Sequence, residues 1–293
     1  MVLGKIRGEV RFKESLRFHT SLRVGGEADI FIIPQNVEDI RLALFFAEQE
    51  GLPLEVMGGG NNILVKDRGI RGMVLKLKGC LGRAQFHGEE VIAGAGLSLS
   101  TLIREAASMN LGGIECLVGI PATIGGALAM NAGTPEGSIG QFVTAVHFLH
   151  SDGKLGQFKP NGGMLAHREF HCPNGAILIS CRLQLQRQPM ADIQRDIKSR
   201  LKYKKILQPL TLASVGCVWK NPPNEFAGKL IEKVGLKGKR VNGAEISAKH
   251  ANFIVNRDGA TSSDITTLMD LAQTRVAAEF GIILEPEIKI IGE

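Results

Sequence analysis

Long apolar runs are missing from this 293-residue chain: nothing approaches the ~18 consecutive apolar residues that a membrane-spanning helix needs. Aromatic residues make up only 5%, with one Trp and one Tyr, and no polybasic block has aromatics interleaved. A stacking platform for nucleic acid is therefore not expected, since such surfaces combine a cationic groove with rows of aromatic faces. The five cysteines (Cys80, Cys116, Cys172, Cys181, Cys217) include no CxxC pair, so neither a structural zinc site nor any other metal is expected. An odd number of thiols suits a reducing compartment. The opening "MVLGKIRGEVRF" lacks the apolar core of a signal peptide, and the expected location is the cytoplasm.

Glycine, by contrast, is plentiful at 36 residues, and it clusters. Lys and Arg outnumber Asp and Glu by 35 to 29, which suits an anionic partner without saying which. The length and the 44% of apolar residues allow two or three domains with real cores.

Periodicity sets out an α+β chain. "VEDIRLALFFAEQ" repeats apolar residues at helical spacing before Gly51, and "LSTLIREAASMN" follows Ser98 as its N-cap. "LPLEVM", "VIAGAG" and "AILISCRLQLQ" read as strands, and "VTAVHFLHSDGKLGQF" as a hairpin around Asp152-Gly153. "ADIQRDIKSRLKYKKI" is a helix suited to connecting domains. After Pro209 the pattern restarts: "SVGCVWKNP", a helix stopped by Gly235, the strand "HANFIVN", a long helix stopped by Gly281, and "EPEIKII", a β-α-β-like series.

Two glycine-rich segments stand out. "GGGNNIL" (Gly58 to Leu64) follows a strand directly, and its amides can form an anion nest that a Cβ would obstruct. It is neither a Rossmann fingerprint nor a P-loop. In "GIPATIGGALAMNAG" (Gly119 to Gly133), Pro121 suits a first helical turn, and Gly125 and Gly126 then fall inside the helix. Two glycines there imply close packing or a close ligand, each costing ~1 kcal/mol against alanine.

The stretch "ASVGCVWKNP" raises a separate question: Cys217 is either a small buried hydrophobe or a working thiol. Together with "TSLRVGGEADIFIIP", the two glycine segments, "AKHANFIVN" and "LEPEIKIIG", it makes nearly the whole chain resemble the UDP-N-acetylenolpyruvoylglucosamine reductase family. These motifs look like that family's GGGSNLL, GIPGTVGGA, GSxFKNP, SxKHxNFIxN and LxPEVxxxG, in the same order.

The resemblance implies a two-lobed FAD-binding unit of the vanillyl-alcohol-oxidase type, residues 1–80 and 81–205, and a smaller C-terminal α/β substrate domain, 206–293. It implies FAD held by Gly58, Gly59, Gly60, Asn61, Asn62, Ile63 and Leu64, and by Gly119, Ile120, Pro121, Ala122, Gly125, Gly126, Ala127, Asn131, Ala132 and Gly133. NADPH would be the reductant, and UDP-N-acetylglucosamine enolpyruvate the substrate, reduced to UDP-N-acetylmuramate for peptidoglycan by a monomeric enzyme. Arg168, Cys217 and Glu287 would be catalytic, with Lys220, Asn221, Lys249 and His250 contacting substrate or nicotinamide cofactor. The chain departs from the family at Asn61 (usually Ser), Ala122 (usually Gly) and His167 (usually Tyr), and Cys217 occupies the proton-donating serine's place.

A thiol ionises near ~8.5, so it keeps its proton at neutral pH yet yields it more readily than an alcohol. Cations at Lys220 and Arg168 would favour thiolate, and a working donor is expected to titrate above neutrality. Two other readings keep the scaffold: an FAD-dependent alcohol or lactone oxidoreductase, which has no need of "GCVWKNP" with "LEPEI", and a non-catalytic nucleotide-binding module.

Overall fold

The computed structural model describes residues 2–79, 81–159, 165–166, 169–170 and 175–293. Along the chain these form β1 (Glu9–Ser15), β2 (Glu27–Ile33), α1 (Val37–Gln49), β3 (Leu54–Met57), β4 (Ile63–Val65), β5 (Ile70–Lys76), β6 (Ala84–His87), β7 (Glu90–Gly94) and α2 (Leu99–Ser108). Next come α3 (Ile124–Ala129), β8 (Val143–Leu149), β9 (Leu155–Phe158), β10 (Ile177–Gln184) and α4 (Met190–Leu207). The last third holds β11 (Ala213–Ser214), α5 (Ala227–Lys233), β12 (Arg240–Val241), β13 (Ala244–Ile246), β14 (Ile254–Asn256), α6 (Ser262–Phe280) and β15 (Lys289–Ile291).

Local chemistry explains the main helices. Asn36 caps α1 by accepting the Asp39 N–H, and Ser98 caps α2 by accepting that of Thr101. Thr261 and Asp264 close a reciprocal capping box at the start of α6, and Gly281 ends it in the left-handed region at φ 67°.

The chain divides into two compact units. The first takes Met1–Phe12, Ile30–Gly59 and Gly72–Tyr203, and the second takes Lys13–Asp29, Gly60–Arg71 and Lys204–Glu293. In the first, α1 buries Ile40, Ala43 and Ala47 against Ile32, Met73 and Leu75 of a sheet ordered β1-β2-β5-β3. A five-stranded antiparallel sheet, β9-β8-β10-β7-β6, carries a second core with α2 and α3. The predicted hairpin is present, with Leu149 opposite Leu155.

The second unit packs α5 and α6 on an antiparallel sheet ordered β11-β14-β13-β12. The expected β-α-β-like alternation is broken here: three strands, β12 to β14, run in succession between α5 and α6, and they pair antiparallel. The final strand also leaves that sheet: β15 pairs in parallel with β4, Lys289 opposite Ile63, immediately after the first glycine loop. Asp67 fastens the same region by accepting the Ser262 and Ser263 N–H groups at the start of α6. Among the described residues no helix is long and apolar enough to cross a membrane.

Candidate active site

β3 ends at Met57 and releases the chain into Gly58–Asn62. A Cβ on Gly58 would lie 2.4 Å from Thr123 Oγ1, the hydroxyl that caps α3 by accepting the Gly126 N–H at 3.2 Å. The two glycine-rich segments therefore meet inside the first unit. Gly60, counted with the second unit, has φ +70°, and its Cβ would stand 2.1 Å from the His19 carbonyl oxygen. Asn62 is tied on both sides: its Nδ2 donates to the Glu287 carbonyl at 3.1 Å and its own carbonyl accepts the Lys289 N–H at 3.0 Å.

Among the described residues, none of the five N–H groups from Gly58 to Asn62 donates to another group of the protein. Backbone donors left over by the fold, three of them on glycines, fit the diphosphate of a dinucleotide.

The second segment differs from its sequence reading. Pro121 is not at a first helical turn: Thr123 is the N-cap and α3 starts at Ile124, so Pro121 lies in the loop before it. Gly125 and Gly126 do fall in the helix. Packing explains Gly125, whose N–H bonds to Ala95 O at 2.8 Å and whose Cβ would lie 3.1 Å from Ala95 Cβ. Gly119 has φ +77°. Ala122 O takes the Leu99 N–H, Ala132 N–H reaches Ala127 O, and the buried Asn131 accepts Gly140 N–H, so these three also hold the fold.

Two of the catalytic candidates, Cys217 and Glu287, lie in the second unit. Residues 218–220 run antiparallel beside 285–287: Trp219 bridges Pro286, Glu287 N–H donates to Val218 O at 2.8 Å, and Lys220 N–H to Glu285 O at 2.9 Å. Cys217 and Glu287, far apart in sequence, thus belong to neighbouring segments, and both are half-buried. Gly216 precedes the cysteine at φ +83°. Arg168 and His167 lie outside the described residues.

Of the other candidates, the half-buried Lys220 pairs with Glu285 at 3.6 Å. Asn221 Oδ1 accepts the Ala227 N–H at the start of α5, and Lys249 Nζ donates to the Lys205 carbonyl. His250 sits edge-on to Phe253, with ring centroids 5.0 Å apart, and its Nδ1 accepts the Asn252 N–H. Burial holds this imidazole below its usual range.

Because the folded state resists protonating His250, its contribution to stability is present above the unfolded histidine pKa of ~6.5 and is lost as pH falls below that toward the lowered folded value. Thermal unfolding should therefore show an acid loss of stability that His250→Gln reduces. An unchanged acid limb in that variant would contradict the assignment.

Trp219 is 0% exposed and belongs to the second unit's core. Its indole N–H finds no acceptor among the described residues. Trp219→Phe, which removes that donor and keeps most of the ring, should change stability by less than about 1 kcal/mol, against about 3–5 kcal/mol for Trp219→Ala. Chemical denaturation of both variants checks the contrast.

Sequence reading passed over Asn252. Its carboxamide bonds the Trp219 backbone twice, N–H to Oδ1 and Nδ2 to O, both at 2.9 Å. A lone carboxamide within the apolar run Ala251–Val255 was the available signal.

These features define a class. Residues 28–158 match the family described as "FAD binding domain", and the chain is an FAD-containing oxidoreductase. Residues 208–291 match "UDP-N-acetylenolpyruvoylglucosamine reductase, C-terminal domain". Over 97% of this chain and 94% of the relative, it is 40% identical to the UDP-N-acetylenolpyruvoylglucosamine reductase of Moorella thermoacetica. It is 41% identical to that of Anaeromyxobacter sp., over 99% and 91%. The crystal structure of the Thermus caldophilus enzyme superposes with TM-score 0.84 at 35% identity, covering 98% of this chain and all of that one. The chain belongs to the UDP-N-acetylenolpyruvoylglucosamine reductase family.

Proposed function

We propose that this protein reduces UDP-N-acetylglucosamine enolpyruvate to UDP-N-acetylmuramate at the expense of NADPH, with Cys217 as the proton donor. The observation that carries the reading is the pairing of residues 218–220 with 285–287, which leaves Cys217 one residue before the segment that pairs with Glu287. Family membership across the whole chain supplies the substrate class.

When bound, FAD would supply the two-electron chemistry that links NADPH to the enolpyruvyl β-carbon. The Gly58–Asn62 amides would hold its diphosphate, aided by Ile63, Leu64 and the Gly119–Gly133 segment. Hydride addition to the β-carbon leaves the electron pair on the α-carbon and its carboxylate. Cys217 protonates the α-carbon, and the resulting thiolate recovers its proton from solvent. Arg168 neutralises the charge that grows on the carboxylate. Glu287 helps only while it carries its proton, since an ionised carboxylate would oppose that charge. Lys220, Asn221, Lys249 and His250 contact the sugar nucleotide or NADPH, the two lysines through phosphate.

Anaerobic NADPH should bleach the flavin absorbance of the purified protein, and UDP-N-acetylglucosamine enolpyruvate should restore it. An alcohol oxidase would ignore that substrate, and a non-catalytic module would bind it without restoring colour. Either result would overturn the proposal.

A further inference from the structure

Asn252 is 3% exposed and reaches Val218 and Trp219, the residues after Cys217, through its backbone and its side chain. The carboxamide closes two bonds on Trp219, at N–H and at C=O, each 2.9 Å. The Asn252 carbonyl accepts the Val218 N–H at 2.8 Å, while its own N–H donates to His250 Nδ1 at 3.2 Å. From the other side, Val218 O accepts the Glu287 N–H. The two residues that directly follow Cys217 are therefore gripped between Asn252 and the Glu287 segment. Upstream, β11 ends at Ser214, and Gly216 adopts a left-handed turn.

We infer that Asn252 is a positioning residue for the proton donor: by acting as a one-residue strand partner to Trp219, it sets where the Cys217 thiol stands relative to the reacting carbon. This inference rests on the reading of Cys217 as the acid. The chemistry calls for a carboxamide. Trp219 turns a backbone donor and a backbone acceptor toward the same buried space, and only a group that both accepts and donates satisfies them. An ionised Asp there offers acceptors alone and faces the Trp219 carbonyl with no proton to share. Protonated Asp offers both, and burial raises a carboxyl's pKa, so it regains the donor as pH falls. Alanine leaves both backbone groups unsatisfied.

The test uses the FAD-loaded enzyme with Asn252→Ala, Asn252→Asp and Cys217→Ala. Single-turnover flavin reduction by NADPH and flavin reoxidation by UDP-N-acetylglucosamine enolpyruvate are measured separately across pH. The rate of Cys217 alkylation by iodoacetamide, resolved by peptide mass, gives a readout independent of turnover. Misplacing the donor by about 1 Å should slow reoxidation on the order of 10²-fold in Asn252→Ala, with reduction by NADPH unchanged. Asn252→Asp should be slow at high pH and recover toward wild type as pH falls, and Cys217 alkylation should change in both variants. Should the alanine variant fail to fold, the near-isosteric Asp variant decides.

Equal slowing of both half-reactions would reduce Asn252 to a structural role and overturn the inference. If Cys217→Ala is slow while both Asn252 variants reoxidise at the wild-type rate, the inference fails and the acid assignment stands. If Cys217→Ala itself reoxidises at the wild-type rate, the acid assignment falls, and the inference with it.

Discussion

Cys217→Ala should accept electrons from NADPH as the wild type does and then stall, its reoxidation by UDP-N-acetylglucosamine enolpyruvate slowed ~10²–10⁴-fold. That range corresponds to about 3–5 kcal/mol of lost transition-state stabilisation, at about 1.4 kcal/mol per factor of ten. Reduction by NADPH needs no proton on the substrate's α-carbon, so removing the thiol leaves that half untouched. Cys217→Ser should retain appreciable turnover, because a hydroxyl fills the same place and carries a transferable proton. It is the weaker acid, however, since an alcohol parts with its proton less readily than a thiol. Stopped-flow flavin absorbance with sequential mixing separates the two halves. A wild-type reoxidation rate in the alanine variant would remove Cys217 from the mechanism.

Gly60→Ala should be the most damaging single-methyl change in the glycine loop. Two costs add. The backbone at φ +70° lies in the left-handed region, which costs a residue with a Cβ about 1–2 kcal/mol. The new methyl would also stand 2.1 Å from the His19 carbonyl oxygen, a backbone atom with little room to retreat. Gly60 O is meanwhile held by the Ser21 N–H at 2.9 Å, so the loop cannot swing away cheaply. Overpacking of this kind adds about 1–3 kcal/mol, for a total of about 2–5 kcal/mol.

Gly281→Ala supplies the control. Its φ of +67° is nearly the same, but its Cβ would meet nothing within 4 Å, so only the conformational cost applies. Thermal unfolding should drop by about 5–15 °C for Gly60→Ala and clearly less for Gly281→Ala. Equal drops would show that the His19 contact carries no weight.

The residues made some of this legible. Helical spacing and caps located α1, α2 and α6, because an amphipathic face and an N-cap are local facts written within one element. The hairpin around Asp152-Gly153 was legible for the same reason. Local pattern does not show which distant segments share a core. The link between Asn62 and Glu287 spans 225 positions, and neither the β4–β15 pairing nor the recruitment of Lys13–Asp29 into the second unit leaves a periodic trace.

The glycines of the second segment illustrate a different limit. Their number signalled a tight approach, but only the fold identifies Ala95 as what Gly125 approaches, and places Pro121 before the helix. At the site, motif order singled out Cys217 and Glu287. It passed over Asn252, whose importance comes from hydrogen bonds to a residue 33 positions away.

The most direct test of the thiol's role is the pH dependence of single-turnover flavin reoxidation in wild type and Cys217→Ser. If Cys217 gives up the proton, the wild-type rate falls as pH rises through the thiol's ionisation, ordinarily near ~8.5, and the serine variant lacks that limb because its hydroxyl does not ionise there. The same descending limb in both proteins would assign the proton to another group.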